Sequence, residues 1–290
     1  MTAAPRSLST RKSVVVSSPG ARSGAIRYNG VVAENQQRTL LAVAQDAAQA
    51  AAIELRARFG QSAAGVHAKS TPTDLVSDAD LAAEAAIRAV LAERRPADSI
   101  VGEEGGASGD GELRWVVDPL DGTINFLFGV PQFAVSVGCE NASGTLVGVV
   151  LDPIRDECFA ATRSGDPTLN GEPISPPQRD RGIETAMVAT GFGYDAALRA
   201  RQAEVLARVL PRVRDIRRAG AAAIDLAWCA CGRYDAFYER GLHRWDIAAG
   251  ALIASRAGLE IRELIATDDL PSGVLAAPAA LIEELLAFGL

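Results

Sequence analysis

The chain has 290 residues, of which 48% are hydrophobic and 22% are charged, a composition typical of soluble globular proteins. Its length allows one large domain or two smaller ones, and no apolar run is long enough to span a membrane. Four cysteines without C-x-x-C spacing and only two histidines argue against a zinc site, an imidazole-rich metal centre or a phosphohistidine relay. We expect the cysteines to be buried, reduced thiols of a cytoplasmic protein.

The charge is distributed unevenly along the chain. The formal net charge is −7, yet residues 1–33 carry five basic residues and no acidic one. The remainder holds 24 basic and 36 acidic residues, a net charge of −12, which argues against a nucleic-acid-binding body and suits cation sites. We predict that residues 1–33 form a disordered basic leader, with a transit peptide or a nucleic-acid-binding arm as the alternatives.

The elements predicted for the first part of the chain are two helices followed by strands. Helical spacing from Glu34 to Phe59 ends at Gly60, which is typical of a helix C-terminus. A second helix is predicted over about 78–95, ahead of Pro96. The predicted strands are 99–101, 115–117, 133–140, 145–151 and 157–162, and the last three indicate an antiparallel meander.

Strands and helices alternate in the second part of the chain. The predicted strands are 186–190, 215–218, 234–238, 259–263 and 274–276, and the predicted helices are 198–209, 221–231, 246–257 and 278–288. A loop-like stretch around Asn170-Gly171 and Pro176-Pro177 suggests a boundary between two subdomains, 34–177 and 178–290. A meander followed by alternating units predicts a layered α/β or α+β protein.

One run of the sequence combines a buried strand with two closely spaced carboxylates. Asp118 and Asp121 follow the apolar residues 115–117, at the point where that strand should end. Pro119 between the two acids prevents an ordinary helical turn. The chain is therefore predicted to leave the strand with both carboxylates and the Leu120 carbonyl directed toward one point, a set of oxygen ligands that suits Mg²⁺.

The residues after these acids extend the same prediction. Gly122 and Thr123 stand at a sharp turn, where their exposed N–H groups would suit a phosphate. The alternative is a simple polar turn, because Asp-Pro and Asp-Gly are common turn pairs. The chain has a second Asp-Pro at Asp152-Pro153, which we interpret as such a turn because no Gly-Thr pair follows it.

Three further acidic stretches could supply ligands to the same site. They contain Glu103-Glu104 after a predicted strand, Asp80 near the start of the second helix, and Asp246 ahead of a helix of small residues. Each has a simpler structural explanation. The two glutamates could form a solvated loop, Ser77 and Asp80 resemble a capping box, and Asp246 could be a helix N-cap.

The sequence lacks a G-x-S-x-G elbow, a P-loop and a Rossmann glycine motif, so hydrolysis would depend on metal and carboxylates. Four segments together resemble the inositol monophosphatase family of Mg²⁺-dependent, lithium-sensitive phosphatases. In chain order they are K-S-T-P-T-D-L-V-S-D-A-D (69–80), V-G-E-E-G (101–105), W-V-V-D-P-L-D-G-T-I-N-F (115–126) and W-D-I-A-A-G (245–250). The resemblance extends from about Glu34 to the C-terminus.

This resemblance implies the layered α-β-α-β-α sandwich of the sugar phosphatases, usually dimeric, with two or three Mg²⁺ ions. The first ion is expected on Glu103, Asp118 and the Leu120 carbonyl, and Glu103 would also touch a weaker third ion and take part in catalysis. The second ion is expected on Asp118, Asp121 and Asp246. Asp121 and Asp246 are also expected to contact the substrate. Most ligands then lie in the first subdomain, and the second supplies Asp246 and substrate contacts.

The resemblance also implies roles for residues that do not bind metal. Asp80 and Thr123 would orient the attacking water, and the N–H groups of Gly122 and Thr123 would bind the phosphate. Glu239 would contact a substrate hydroxyl, although an exposed strand end would also explain it. Lys69, on a loop near the site, would be either a site residue or a solvated charge.

The predicted activity is hydrolysis of a phosphate monoester of a small polyol or sugar, by direct attack of metal-activated water. Inositol 1-phosphate is the leading substrate, with histidinol phosphate, fructose 1,6-bisphosphate and 3′-phosphoadenosine nucleotides as alternatives. We expect a homodimer with no membrane partner and no nucleic-acid partner. The alternative class is a binding partner of the transcription machinery, for which the basic leader is the local support.

Overall fold

A computed structural model describes residues 20–61, 65–68, 75–174 and 182–290, and for residues 20–33 and 68 it describes the backbone only. Within these ranges the helices are α1 Gly20–Arg58, α2 Asp78–Arg94, α3 Thr123–Leu127, α4 Ala196–Val209, α5 Ala222–Ala230, α6 Arg244–Arg256 and α7 Ala279–Leu286. The strands are β1 His67–Ala68, β2 Leu75–Val76, β3 Ser99–Gly102, β4 Gly106–Ser108, β5 Arg114–Asp121, β6 Ala134–Asn141, β7 Gly144–Asp152, β8 Glu157–Thr162, β9 Thr168–Leu169, β10 Glu172–Pro173, β11 Met187–Thr190, β12 Asp215–Arg217, β13 Ala236–Arg240, β14 Glu260–Leu264 and β15 Gly273–Ala277.

Two large sheets organise the described chain. The first has the strand order β10-β9-β8-β7-β6-β5-β3-β4, antiparallel except for the parallel pair β3 and β5. The second has the order β12-β11-β13-β15-β14, with β12, β11 and β13 parallel and the others antiparallel. A small β1–β2 hairpin stands apart from both sheets. The predicted meander is confirmed as β6, β7 and β8.

Hydrophobic cores fill the spaces between five layers. The outer core joins α1 and α2 to one face of the first sheet, and the middle core joins the opposite face to α5 and α6. Val149 and Val150 of β7 face these two cores in turn, as the two-residue period of a strand requires. The last core packs the far face of the second sheet against α4 and α7. The predicted α-β-α-β-α sandwich is confirmed.

Glycines allow α6 to lie close to the first sheet. Gly138 and Gly148 are paired across β6 and β7, beneath α6. A Cβ at Gly148 would lie 2.7 Å from the Cα of Ala249, and one at Gly138 would lie 3.3 Å from the Cβ of Ala248. The small residues of α6 therefore serve close packing, which fixes the depth of the helix that carries Asp246.

The first helix begins earlier than predicted. α1 starts at Gly20 rather than near Glu34, so residues 20–33 of the predicted leader are helical. No proline follows Pro19 in this segment to interrupt the backbone hydrogen bonds of a helix. Residues 1–19, Lys69 and the predicted boundary at 177 lie outside the described ranges. Among the described residues, no helix combines the length and apolarity needed to cross a membrane.

Candidate active site

The strand that carries Asp118 and Asp121 is longer than predicted and includes both residues. β5 continues to Asp121, which pairs with Ala134 of β6, and an irregularity in the register lies between Asp118 and Asp121. The Oδ1 atom of Asp118 accepts the Leu120 N–H at 3.0 Å. Gly122 then has a φ of +99°, a left-handed conformation that favours glycine and starts α3. The predicted exit is thus an interrupted strand rather than a strand end.

Carboxylates crowd around Asp118. Its side chain is 1% exposed, and burial raises its pKa well above the usual range, with repulsion from Glu103, Asp121 and Asp246 adding to the effect. A hydrogen bond between the Asp118 and Glu103 carboxyl groups acts in the same direction. These effects together favour the protonated form of Asp118.

Asp121 links the two halves of the chain. Its Oδ1 accepts the Ala222 N–H at 3.1 Å and its Oδ2 accepts the Ala223 N–H at 2.7 Å, at the start of α5. Burial, followed by repulsion from Asp246, raises the pKa of Asp121 to about 8, although these two N–H groups oppose the shift. A helix N-terminus in the second half of the chain thus orients a carboxylate from the first half.

Several contacts fix the start of α6, where Asp246 lies. The Oδ2 atom of Asp246 accepts the His243 N–H at 2.6 Å, and Ser136 of β6 donates its hydroxyl to the Trp245 carbonyl at 3.0 Å. Glu140, which is 3% exposed, accepts hydrogen bonds from Arg244 Nη2 at 2.8 Å and from Arg114. The predicted N-cap role of Asp246 is therefore wrong: His243 is the N-cap, and Asp246 is the third residue of α6, where its carboxylate accepts the N-cap N–H and lines the cleft.

Asp80 is connected to the cleft by Thr123. Its Oδ2 accepts the N–H and the hydroxyl of Ser77 at 2.9 and 2.7 Å, which completes the predicted capping box of α2. The Thr123 hydroxyl lies 2.9 Å from Asp80 Oδ1 and 3.1 Å from the Leu120 carbonyl. Asp80 is therefore fully buried and in hydrogen-bond contact with Thr123, which lines the cleft.

Glu239 and Arg218 form the opposite wall of the cleft. Burial raises the pKa of Glu239 to about 8, and the nearby Arg218 guanidinium partly opposes this shift. A Cβ at Gly191 would lie about 2.0 Å from the Glu239 carboxylate, so only glycine there leaves room for it. Arg218 also lies 6.0 Å from the ring of Phe192. Glu239 therefore lines the cleft and is not an exposed strand end.

These side chains surround one open cleft of about 420 Å³. All the predicted site residues except Asp80 line it, namely Glu103, Asp118, Leu120, Asp121, Gly122, Thr123, Glu239 and Asp246. Sequence analysis missed Arg218 as a lining residue. Arg218 stands in the R-R-A-G segment just before α5, a signal too short to separate it from the many other arginines.

The donor set suits a hard divalent cation. Glu103, Asp118, Asp121 and Asp246 offer carboxylate oxygens whose simultaneous ionisation is opposed by burial and mutual repulsion, and a cation would relieve both. Across the part of the chain that the structure describes, no three His, Cys, Asp or Glu side chains already stand as a formed metal shell. A cation would therefore replace the proton that the raised pKa of Asp118 favours.

The fold and the site together define the class of protein. The sequence model of the inositol monophosphatase family matches residues 36–287, and the chain belongs to this family. Among solved structures, it is similar to the extragenic suppressor protein suhB of Bartonella henselae, with a TM-score of 0.79 and 34% identity over 86% of this chain and 97% of that one. Mycobacterium tuberculosis SuhB gives a TM-score of 0.71 and 38% identity over 86% and 94% of the two chains.

Curated relatives carry two kinds of name. The inositol-1-monophosphatase SuhB of Mycobacterium tuberculosis is 41% identical over 275 residues, which cover 88% of this chain and 94% of the relative. The Nus factor SuhB of Pseudomonas aeruginosa is 46% identical over 196 residues, which cover 64% of this chain and 70% of that protein. The first name describes an enzyme, and the second describes a different role for a similar sequence.

Proposed function

We propose that the protein is a Mg²⁺-dependent, lithium-sensitive phosphomonoesterase that hydrolyses inositol 1-phosphate or a similar small polyol phosphate. The observation that carries the proposal is the meeting of four carboxylates, from β5, α6 and the turn after β3, at one cleft beside the Gly122-Thr123 turn. A cluster of this kind is costly without a cation. The family membership and the relatives named inositol-1-monophosphatase support the same activity.

The ligands in this proposal are those that line the cleft. Glu103, Asp118, the Leu120 carbonyl, Asp121 and Asp246 would hold two or three Mg²⁺ ions. Bound Mg²⁺ supplies charge neutralisation of the phosphate and lowers the pKa of water, so that no protein nucleophile and no phosphoenzyme is needed.

The protein itself would orient the attacking water through Thr123. The Thr123 hydroxyl lies 2.9 Å from Asp80 Oδ1 and 3.1 Å from the Leu120 carbonyl, so it would donate its proton to the closer acceptor, Asp80. The oxygen of Thr123 then keeps a lone pair free to accept a hydrogen bond from water. The N–H groups of Gly122 and Thr123 would bind the phosphate.

The far wall of the cleft would recognise the alcohol. Glu239 and Arg218 place an acceptor and a donor on one side, which suits a polyol with several hydroxyl groups more than an apolar leaving group. This chemistry favours inositol 1-phosphate. Histidinol phosphate, fructose 1,6-bisphosphate and 3′-phosphoadenosine nucleotides are the alternatives that a substrate panel separates.

The test is phosphate release from this panel with and without Mg²⁺. We expect Mg²⁺-dependent release in the wild type, and Asp118→Asn should lower turnover by several orders of magnitude. Asp152→Asn is the matched control, because Asp152 also precedes a proline and is fully buried, but it lies outside the cleft. Near-normal turnover of Asp118→Asn at saturating Mg²⁺ would refute the site.

A second candidate function is binding to the transcription machinery, and the relatives named Nus factor SuhB support it. Salt-sensitive binding to RNA polymerase or RNA that survives Asp118→Asn and is lost on removal of residues 1–30 would favour this role. A homodimer is expected in either case, and sedimentation analysis measures it directly.

A further inference from the structure

A buried carboxylate on α2 holds the backbone that presents Glu103. Glu84 lies one helical turn beyond Asp80 and is 3% exposed. Its Oε2 accepts the Glu104 N–H and its Oε1 accepts the Gly105 N–H, both at 2.8 Å. Two successive N–H groups of the turn between β3 and β4 therefore converge on one side chain, directly after the expected metal ligand.

The turn is shaped to fit this carboxylate. A Cβ at Gly102 would lie 2.5 Å from Glu84 Oε1, and a Cβ at Gly105 would lie 2.6 Å from the same atom. Glycine on both sides of Glu103 and Glu104 thus lets the backbone wrap around Glu84. The N–H of Glu103 itself donates to the Val117 carbonyl of β5 at 3.3 Å.

Arg88 neutralises Glu84 and closes the same hairpin. Its Nε donates to Glu84 Oε1 at 2.6 Å, while Nη2 donates to the Gly106 carbonyl at 2.7 Å and Nη1 to the Ser108 hydroxyl at 3.1 Å. The charge of Glu84 is therefore balanced locally and adds little to the acidic cleft. A buried ion pair is weak evidence for stability by itself. The remaining hydrogen bonds of this pair all go to the β3–β4 hairpin, which indicates that it orders that hairpin.

We infer that Glu84 is a positioning residue that sets the direction in which Glu103 meets the cation. The inference rests on the proposed function, because it requires Glu103 to be a metal ligand. Groups that orient metal ligands typically change metal affinity about 10- to 100-fold when they are altered. Glu84 does not line the cleft and so does not contact the reacting groups. Its loss should therefore weaken cation binding more than it lowers turnover at saturating cation.

The experiment measures Mg²⁺ binding by isothermal titration calorimetry and the Mg²⁺ dependence of phosphate release. Glu84→Gln should weaken Mg²⁺ binding about 10- to 100-fold and raise the Mg²⁺ concentration for half-maximal activity, while kcat at saturating Mg²⁺ falls less. Glu54→Gln is the matched control, because Glu54 and Arg58 form an equivalent pair four residues apart on α1, away from the cleft. This control should bind Mg²⁺ like the wild type.

Two further variants separate the possible failures. Glu103→Gln should weaken Mg²⁺ binding at least as much as Glu84→Gln, and an unchanged affinity would refute the proposed ligand. If Glu103→Gln weakens binding but Glu84→Gln behaves like Glu54→Gln, the positioning role is wrong and the proposed function stands. If Glu84→Gln does not fold, Glu84→Asp replaces it, because aspartate keeps the charge on a side chain shorter by one methylene. Glu84→Asp should show an intermediate loss of Mg²⁺ affinity, and wild-type affinity in this variant would overturn the inference.

Discussion

Protons and Mg²⁺ should compete for the carboxylates of the cleft. Burial and repulsion from neighbouring carboxylates raise the pKa of Asp118 well above its usual range, and burial and Asp246 raise the pKa of Asp121 to about 8. A cation needs the ionised forms, so binding must release the protons that these groups hold. The affinity for Mg²⁺ should therefore rise with pH until the pH exceeds the pKa values of the metal-free carboxyls.

The size of this effect follows from Asp121 alone. With a pKa of about 8, Asp121 is roughly 1% ionised at pH 6 and about half ionised at pH 8. Mg²⁺ should therefore bind about fiftyfold more weakly at pH 6 than at pH 8, a difference in binding free energy of about 2.3 kcal/mol. The pKa of Asp118 is shifted in the same direction, chiefly by burial, and increases the difference. Below pH 8 the slope of log affinity against pH is thus positive.

Calorimetric titration in buffers of different ionisation enthalpy counts the protons that Mg²⁺ displaces. At pH 7 we expect between one and two protons released for each site filled, and Asp121→Asn should release fewer. An affinity that changes by less than about threefold between pH 6 and pH 8, with no proton release, would refute the view that these carboxyls are protonated until the cation binds.

Three substitutions and one control test the packing that supports the site. Gly148→Ala should destabilise the protein by about 1–3 kcal/mol in urea unfolding, because its Cβ would lie 2.7 Å from Ala249, whereas Gly182→Ala has open space and should be neutral. Glu140→Gln should cost about 1–3 kcal/mol by leaving its two arginines without a charged partner, and it should weaken Mg²⁺ binding by loosening α6. Phe133→Ala should cost about 3–5 kcal/mol, because this fully buried ring packs against two others, and thermal unfolding at the wild-type temperature would contradict the expected cavity.

The sequence predicted the features that depend on neighbouring residues. Most elements, from α2 to α7, and the acidic run at Asp118 follow from local periodicity, caps and turn residues. The continuation of β5 to Asp121 depends on pairing with β6, a contact with a distant segment that no local pattern records. Proline before Leu120 suggested a strand end, but it instead lies at an irregularity of the ladder.

Site residues were missed where their position is set by distant backbone. The role of Glu84 depends on the glycine-flanked turn after β3 lying against α2. In the sequence alone, Glu84 cannot be distinguished from an acidic residue on the exposed face of a helix. Glu239 was predicted from the family resemblance, but its burial depends on Gly191, which directly follows the neighbouring strand β11 and leaves room for the carboxylate. The place of Arg218 at the cleft could not be predicted, because it is defined by its closeness to Glu239, which is distant in sequence.

The hydrogen bonds from Ala222 and Ala223 to Asp121 mean that binding at the proposed cation site would depend on both halves of the chain. Since Asp246 also comes from the second half, neither half alone can assemble the complete ligand set. An ion that binds only this assembled form shifts the folding equilibrium by mass action, by about 2.7 kcal/mol at a concentration one hundred times its Kd. Cellular Mg²⁺ would thus act on the lifetime of the folded enzyme as well as on its chemistry, and a cell poor in Mg²⁺ would lose protein and activity together.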